Sequence, residues 1–138
     1  MIVLRGHPGI GPVVSGTVLA ADDGFSARYD LDRKTGLFSR PTHALAGQLY
    51  VGMVLALNTA KGGVATAWML RGMMQRGIVP RALLFNRVNP IMAQGAAFAG
   101  LALIDRFDCD ITQALRTGDV VRVDPTAGEV TVLSRAQE

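Results

Sequence analysis

The chain has 138 residues, of which 49% are hydrophobic and 18% charged, and its formal net charge is +3. This length suits one domain over residues 1–138 and is too short for two. The Lys and Arg residues are scattered without interleaved aromatics, which argues against a nucleic-acid partner, and no apolar run approaches the roughly 20 residues of a membrane span.

The amino-terminal residues lack a basic segment leading into a long apolar one, so a cytoplasmic protein is expected. The apolar excess fits either a buried subunit interface or a chain simply rich in Ala, Val and Leu. A diffuse positive bias suits a small anionic ligand.

Residues 5–12, punctuated by Gly and Pro, are expected to be irregular. Val13 to Ala20 is rich in β-branched residues and reads as a strand. A turn follows at Asp22-Asp23-Gly24. The segment Ala27 to Ser39 reads as a hairpin reversed by Asp32 to Gly36, where Asp bonds its own downstream backbone and Gly accepts positive φ. Tyr50 to Leu57 is continuously apolar, as in a strand covered on both faces.

After Asn58 to Gly63 the period changes. Ala65, Trp68, Met69, Gly72 and Met73 fall on one face of a helix, which Gly77 and Pro80 end. Arg81 to Phe85 is a second short strand. Asn89-Pro90 reads as an N-cap followed by proline at the first helical position, and Gly100 closes that helix. Leu101 to Ile104 is a third strand, and Ile111 to Leu115 a short helical turn. Val120 to Val123 and Glu129 to Leu133 form a terminal hairpin. The order implies an α/β fold with a small parallel sheet, right-handed crossovers and a second β layer or barrel-like element.

Two strand-to-helix junctions could carry chemistry. The first, Asn58 to Thr66, runs from the end of a buried strand into the first long helix; around Lys61, Gly62 and Gly63 free backbone N–H groups and the helix dipole favour an anion. The phosphate-loop pattern G-x-x-x-x-G-K-[ST] is absent. The second junction, Asn86 to Asn89, opens on the same sheet edge if the strands are parallel. Arg87 could reach a carboxylate, and Asn89 could bind ligand or cap its helix.

His7 and His43 lack ligand-spaced partners, so no metal site is expected on this chain. His43 is either a substrate contact or a hydrogen-bonded structural histidine. Asp30 and Asp105 could serve in acid–base roles, whereas Asp32 is better explained as a turn former. Cys109, the single cysteine, reads as a partly buried small residue whose acidic neighbours disfavour a thiolate. No complete catalytic set is visible, which suggests that a partner supplies the rest.

The motifs occur in a telling order: Gly11-Pro12-Val13-Val14-Ser15-Gly16, Asp32 to Gly36, His43 to Gln48, Val51 to Leu57, Lys61-Gly62-Gly63, Gly77 to Ala82, Asn89 to Gly95, and Thr117-Gly118-Asp119. Over nearly its whole length the chain resembles the small-subunit, or swivelling-domain, family of aconitase X. The resemblance implies a swivelling β/β/α domain docked on a large subunit. Activities of that family include dehydration of cis-3-hydroxy-L-proline and mevalonate 5-phosphate. It also implies an iron–sulfur cluster on the large subunit acting as Lewis acid, with no cofactor bound by the small chain.

In the family a serine before the first central helix takes the substrate proton. The matching position here is Gly63, and Thr66 is the hydroxyl left to that loop. The expected function is therefore the small subunit of a two-chain hydro-lyase acting on a small anionic hydroxy acid. Lys61, Gly62, Gly63, Arg87, Asn89 and His43 would bind substrate, and Thr66 would handle the proton. The alternatives are a non-catalytic ligand-binding or regulatory paralogue, and a self-associating structural module; homo-oligomerisation stays open.

Overall fold

The computed structural model describes residues 2–60 and 64–136. Its elements are β1 (Ile2–Arg5), β2 (Val14–Ala20), β3 (Val54–Ala60), α1 (Val64–Arg76), β4 (Ala82–Val88), α2 (Pro90–Ala99), β5 (Ala102–Ile104), α3 (Ile111–Ala114), β6 (Val120–Asp124) and β7 (Glu129–Ser134). The described strands join in the order β1-β7-β6-β2-β3-β4-β5.

Strand β2 belongs to two layers. Its first half, Val14 to Thr17, pairs antiparallel with β6, and its second half, Val18 to Ala20, pairs parallel with β3. Strands β3, β4 and β5 continue in parallel, while β1, β7 and β6 form the antiparallel layer. The result is a mixed α/β fold with a parallel layer between helices and a second β layer.

The period of two along β3 and β4 divides their side chains between two cores. Leu55, Leu57, Leu83 and Phe85 pack on the helical side with Leu70 and Met73 of α1 and Met92 and Ala96 of α2. Val54, Ala56, Ala82 and Leu84 pack on the other side with Val121 and Val123 of β6 and Val130 and Val132 of β7. Both faces are covered, which is why these strands read as unbroken apolar runs.

Helix α2 starts as its sequence implies. Asn89 has extended φ/ψ and its side-chain oxygen accepts from the Met92 N–H at 2.8 Å, with Pro90 next in the chain. Asn89→Ala is expected to lower unfolding free energy by about 1 kcal/mol. The check is a lower urea midpoint with an unchanged slope.

Several expectations need correction. The hairpin over Ala27 to Ser39 is reduced to a single isolated bridge, Leu31 with Phe38, while Leu37 bridges Leu49 beyond it. The reversal itself is present: the Asp32 carboxylate accepts from the amides of Lys34 and Thr35, and Gly36 has φ of 79°. What replaces the ladder is burial, since Phe25, Leu31, Phe38, Leu45 and Tyr50 fold onto the helical-side core.

The strand expected at Tyr50 to Leu57 instead runs Val54–Ala60. Residues 50–53 make a turn in which the Met53 N–H donates to Tyr50 O, with Gly52 at φ of 71°. That turn is apolar because Tyr50 is buried, so hydrophobicity misplaced the strand start. Strand β4 extends past Phe85 to Val88, and β1 was not anticipated. Cys109 is exposed rather than partly buried. Partial loss of water around its sulfur, then the charge of Asp108, still pushes the thiol up, as its neighbours implied.

The irregular residues after β1 pass so close to β5 that only glycine fits. A Cβ on Gly9 would lie 1.9 Å from the Leu103 carbonyl oxygen, while Ile10 bridges Leu103.

Candidate functional site

Strands β2, β3, β4 and β5 are parallel, so their carboxyl ends share one edge, the usual ligand edge of an α/β sheet. On the side of the antiparallel layer this edge is closed by a polar chain. Asn58 donates to the Asp22 carboxylate at 2.9 Å, and Asn86 donates to Asn58 at 3.1 Å and to Asp110 at 2.9 Å. The Thr112 hydroxyl, then Asn86, hold the Asp110 carboxyl below its ordinary value.

On the helical side the edge opens into a cleft of about 810 Å³. Its floor is Thr59 of β3 with Ala65 and Thr66 in the first turn of α1; its wall is the irregular segment 23–30, with Arg40 beside it. Thr66 is 5% exposed. The chain enters α1 through Lys61, Gly62 and Gly63, which lie outside the described residues.

The wall is held from behind. The Phe25 N–H donates to Thr59 O at 2.8 Å. His43 is buried, stacked on Phe38 with ring centroids 4.7 Å apart. Its Nδ1 accepts from the Leu45 N–H at 3.0 Å, so its Nε2 carries the proton that is donated to Gly24 O at 2.7 Å. With both nitrogens engaged and its side chain wholly buried, His43 stands behind the cleft wall rather than at the cleft surface.

Asp30, also buried, accepts from the Ser26 N–H at 2.8 Å and lies 2.8 Å from Arg40 Nε. Asp23 accepts from the amides of Gly24 and Ala44. Burial raises the Asp23 carboxyl, but the amides of Ala44 and Gly24, together with the Arg40 guanidinium, outweigh it and leave the group below its ordinary value.

Among the expected site residues, Thr66 lines the cleft. Arg87 is exposed on β4, in register with cleft-lining Thr59. Asn89 caps α2 one turn further along the same edge. Thr59, within the expected junction, lines the cleft, while Ser26, Arg28 and Arg40 were missed as site residues. These three sit on the crossover between β2 and β3, which has no periodicity to mark its position. The usable signal was topological: a connection between adjacent parallel strands must start from the ligand edge.

The chain matches the description "aconitase X swivel domain" over residues 3–132. The chain belongs to this family. Two relatives named phosphomevalonate dehydratase small subunit are each 31% identical. That from Methanocella arvoryzae aligns over 91% of this chain and 95% of its own length. The one from Methanococcoides burtonii aligns over 89% and 90%. The crystal structure of Thermococcus kodakaraensis aconitase X in its holo-form superposes with a TM-score of 0.89 at 25% identity, covering 97% of this chain and 100% of that one.

The β/β/α layering is thus that of an aconitase X swivel domain. No helix among the described residues is long and apolar enough to cross a membrane. The donor set of this swivel domain does not fit an iron–sulfur cluster. It offers one cysteine, flanked by Asp108 and Asp110, and no group of three or more His, Cys, Asp or Glu placed to hold a metal among the described residues.

Proposed function

We propose that this chain is the small subunit of a two-chain, cytoplasmic phosphomevalonate dehydratase, a single swivelling domain that closes over an iron–sulfur site on a large subunit. The observation that carries the reading is the cleft at the parallel-strand edge, built by half a site's worth of polar groups on a chain whose relatives are named as small subunits. The cluster, when bound by the large subunit, would supply Lewis acidity toward the leaving hydroxyl.

This chain's residues do the remainder. Lys61 and the amides of Gly62 and Gly63 hold the acid group at the start of α1, where the dipole favours an anion. Thr66 presents its hydroxyl from the first helical turn to the substrate proton. Closure of the swivel domain excludes water and completes the pocket. Exposed Trp68 and Phe98, packed edge to face at 5.1 Å on the helical layer, support a large partner surface.

The test is co-expression with a large subunit of the same family, followed by an assay for water loss from phosphomevalonate, with cis-3-hydroxy-L-proline as the competing substrate. Turnover of phosphomevalonate by the pair and by neither chain alone is expected. Thr66→Val should lower kcat by roughly 10²-fold, Thr66→Ser should retain most of it, and Lys61→Ala should raise KM. A complex that forms but is indifferent to both Thr66→Val and Lys61→Ala would make this a binding or regulatory subunit instead.

A further inference from the structure

We propose that Arg40, which the sequence does not single out, is a substrate-binding residue of the cleft for a carboxylate or phosphate oxygen, and that Asp30 is its positioning residue. The proposal rests on the dehydratase reading for the identity of the substrate, but the anion contact itself stands on the geometry.

Two guanidinium groups and two carboxylates line the cleft: Arg28 and Arg40, Asp23 and Asp30. Their formal charges cancel, so the sum favours no ligand sign; their placement does. The Asp30 side chain is 4% exposed, and its oxygens face the Ser26 N–H and Arg40 Nε. Asp23 spends its oxygens on the amides of Gly24 and Ala44. The Asp30 carboxylate therefore looks inward, whereas Asp23, 28% exposed, also lies 3.7 Å from Arg40 Nη2. The Arg40 side chain is 41% exposed and lines the cleft.

The Arg40 guanidinium is ion-paired to a buried carboxylate, its Nε 2.8 Å from Asp30 Oδ1 but not aligned as a hydrogen bond to it, and its terminal N–H groups can still reach a second oxyanion. Asp30 cannot swing away, since it also carries the Ser26 amide and its own carbonyl accepts from the Ser39 N–H at 2.8 Å. The cleft floor includes the first turn of α1, the other place where an anion is favoured. A cleft that favours an anion at two places suits an acid that is charged at both ends.

Calorimetry on the assembled small–large complex tests this, with inorganic phosphate, mevalonate and phosphomevalonate as separate probes. Arg40→Gln is expected to weaken binding of either inorganic phosphate or mevalonate at least tenfold, and which of the two weakens tells whether phosphate or carboxylate lies at Arg40. Arg40→Lys should restore part of the affinity. Asp30→Asn should raise KM for phosphomevalonate at least threefold while kcat changes less, with the complex still formed.

Affinities of Arg40→Gln within twofold of wild type for both probes would overturn the proposal. So would a wild-type complex that binds neither probe. A fall in melting temperature with unchanged affinity in the folded fraction would make Arg40 structural, and would overturn it too. Retained, Arg40-dependent binding without turnover would instead sink the dehydratase reading and leave the anion contact standing.

Discussion

Phe85→Ala should destabilise the protein by about 3–5 kcal/mol, the usual cost of emptying a buried phenylalanine site. Phe85 has no exposed surface and lies in mid-β4 opposite Leu57. Its ring sits 5.7 Å from that of Phe25, tilted by 45°. Phe25 is at once a core residue and a lining residue of the cleft wall. The substitution is therefore expected to act twice, as a lower urea midpoint and as a raised KM in the assembled complex. Phe85→Leu, which keeps most of the volume, should cost about 1–1.5 kcal/mol. A loss below 1.5 kcal/mol for the alanine variant would show that the helical-side core closes over the gap and that Phe25 does not depend on it.

Asp119→Ala should cost about 3 kcal/mol, through lost charge-assisted hydrogen bonds and the donors left behind. The Asp119 side chain, at the end of the motif Thr117-Gly118-Asp119, is fully buried. One oxygen accepts from the Ala136 N–H at 2.7 Å; the other accepts from the Arg116 N–H at 2.9 Å and from Arg135 Nη1 at 2.8 Å. Its carbonyl accepts from the Val18 N–H. One residue thus fastens the end of the chain to the strand shared by both layers. Since Arg135 is 40% exposed, the ion pair itself carries the smaller part of that figure.

The same residue predicts a pH dependence. Burial raises the Asp119 carboxyl, but the amides of Ala136 and Arg116 and the Arg135 guanidinium outweigh it, so the folded value lies below the ordinary 3.8. A depressed carboxylate contributes stability that is complete above 3.8 and is lost as pH falls through the folded value. Asp119→Asn should flatten the acid limb of the stability curve below pH 3.8. An acid limb identical to that of wild type would remove Asp119 as its source.

Local rules read most of this chain well. The N-cap at Asn89 with Pro90, the glycine stops at Gly77 and Gly100, the Asp32 turn and the terminal hairpin all stand because each depends on a few neighbouring residues and a preferred dihedral angle. Periodicity located α1, and the apolar runs of β3 and β4 correctly announced strands buried on both faces. The motif order also pointed to the right family, since order and spacing survive where single residues change.

Tertiary structure alone decided the rest. Apart from the Asp32 turn, residues 21–53 take their shape from the core they cover and from His43 and Asp30 behind them, so periodicity could not place them. Tyr50 to Met53 is as apolar as a strand because Tyr50 plugs that core, and only packing distinguishes the two cases. Ser26, Arg28 and Arg40 come to one cleft with Thr66 only because two parallel strands end side by side. By itself the sequence determined which segments pair and cap, because those energies are local. Which side chains face a common ligand was settled by the long-range register of the parallel strands, an interaction between residues far apart in the chain.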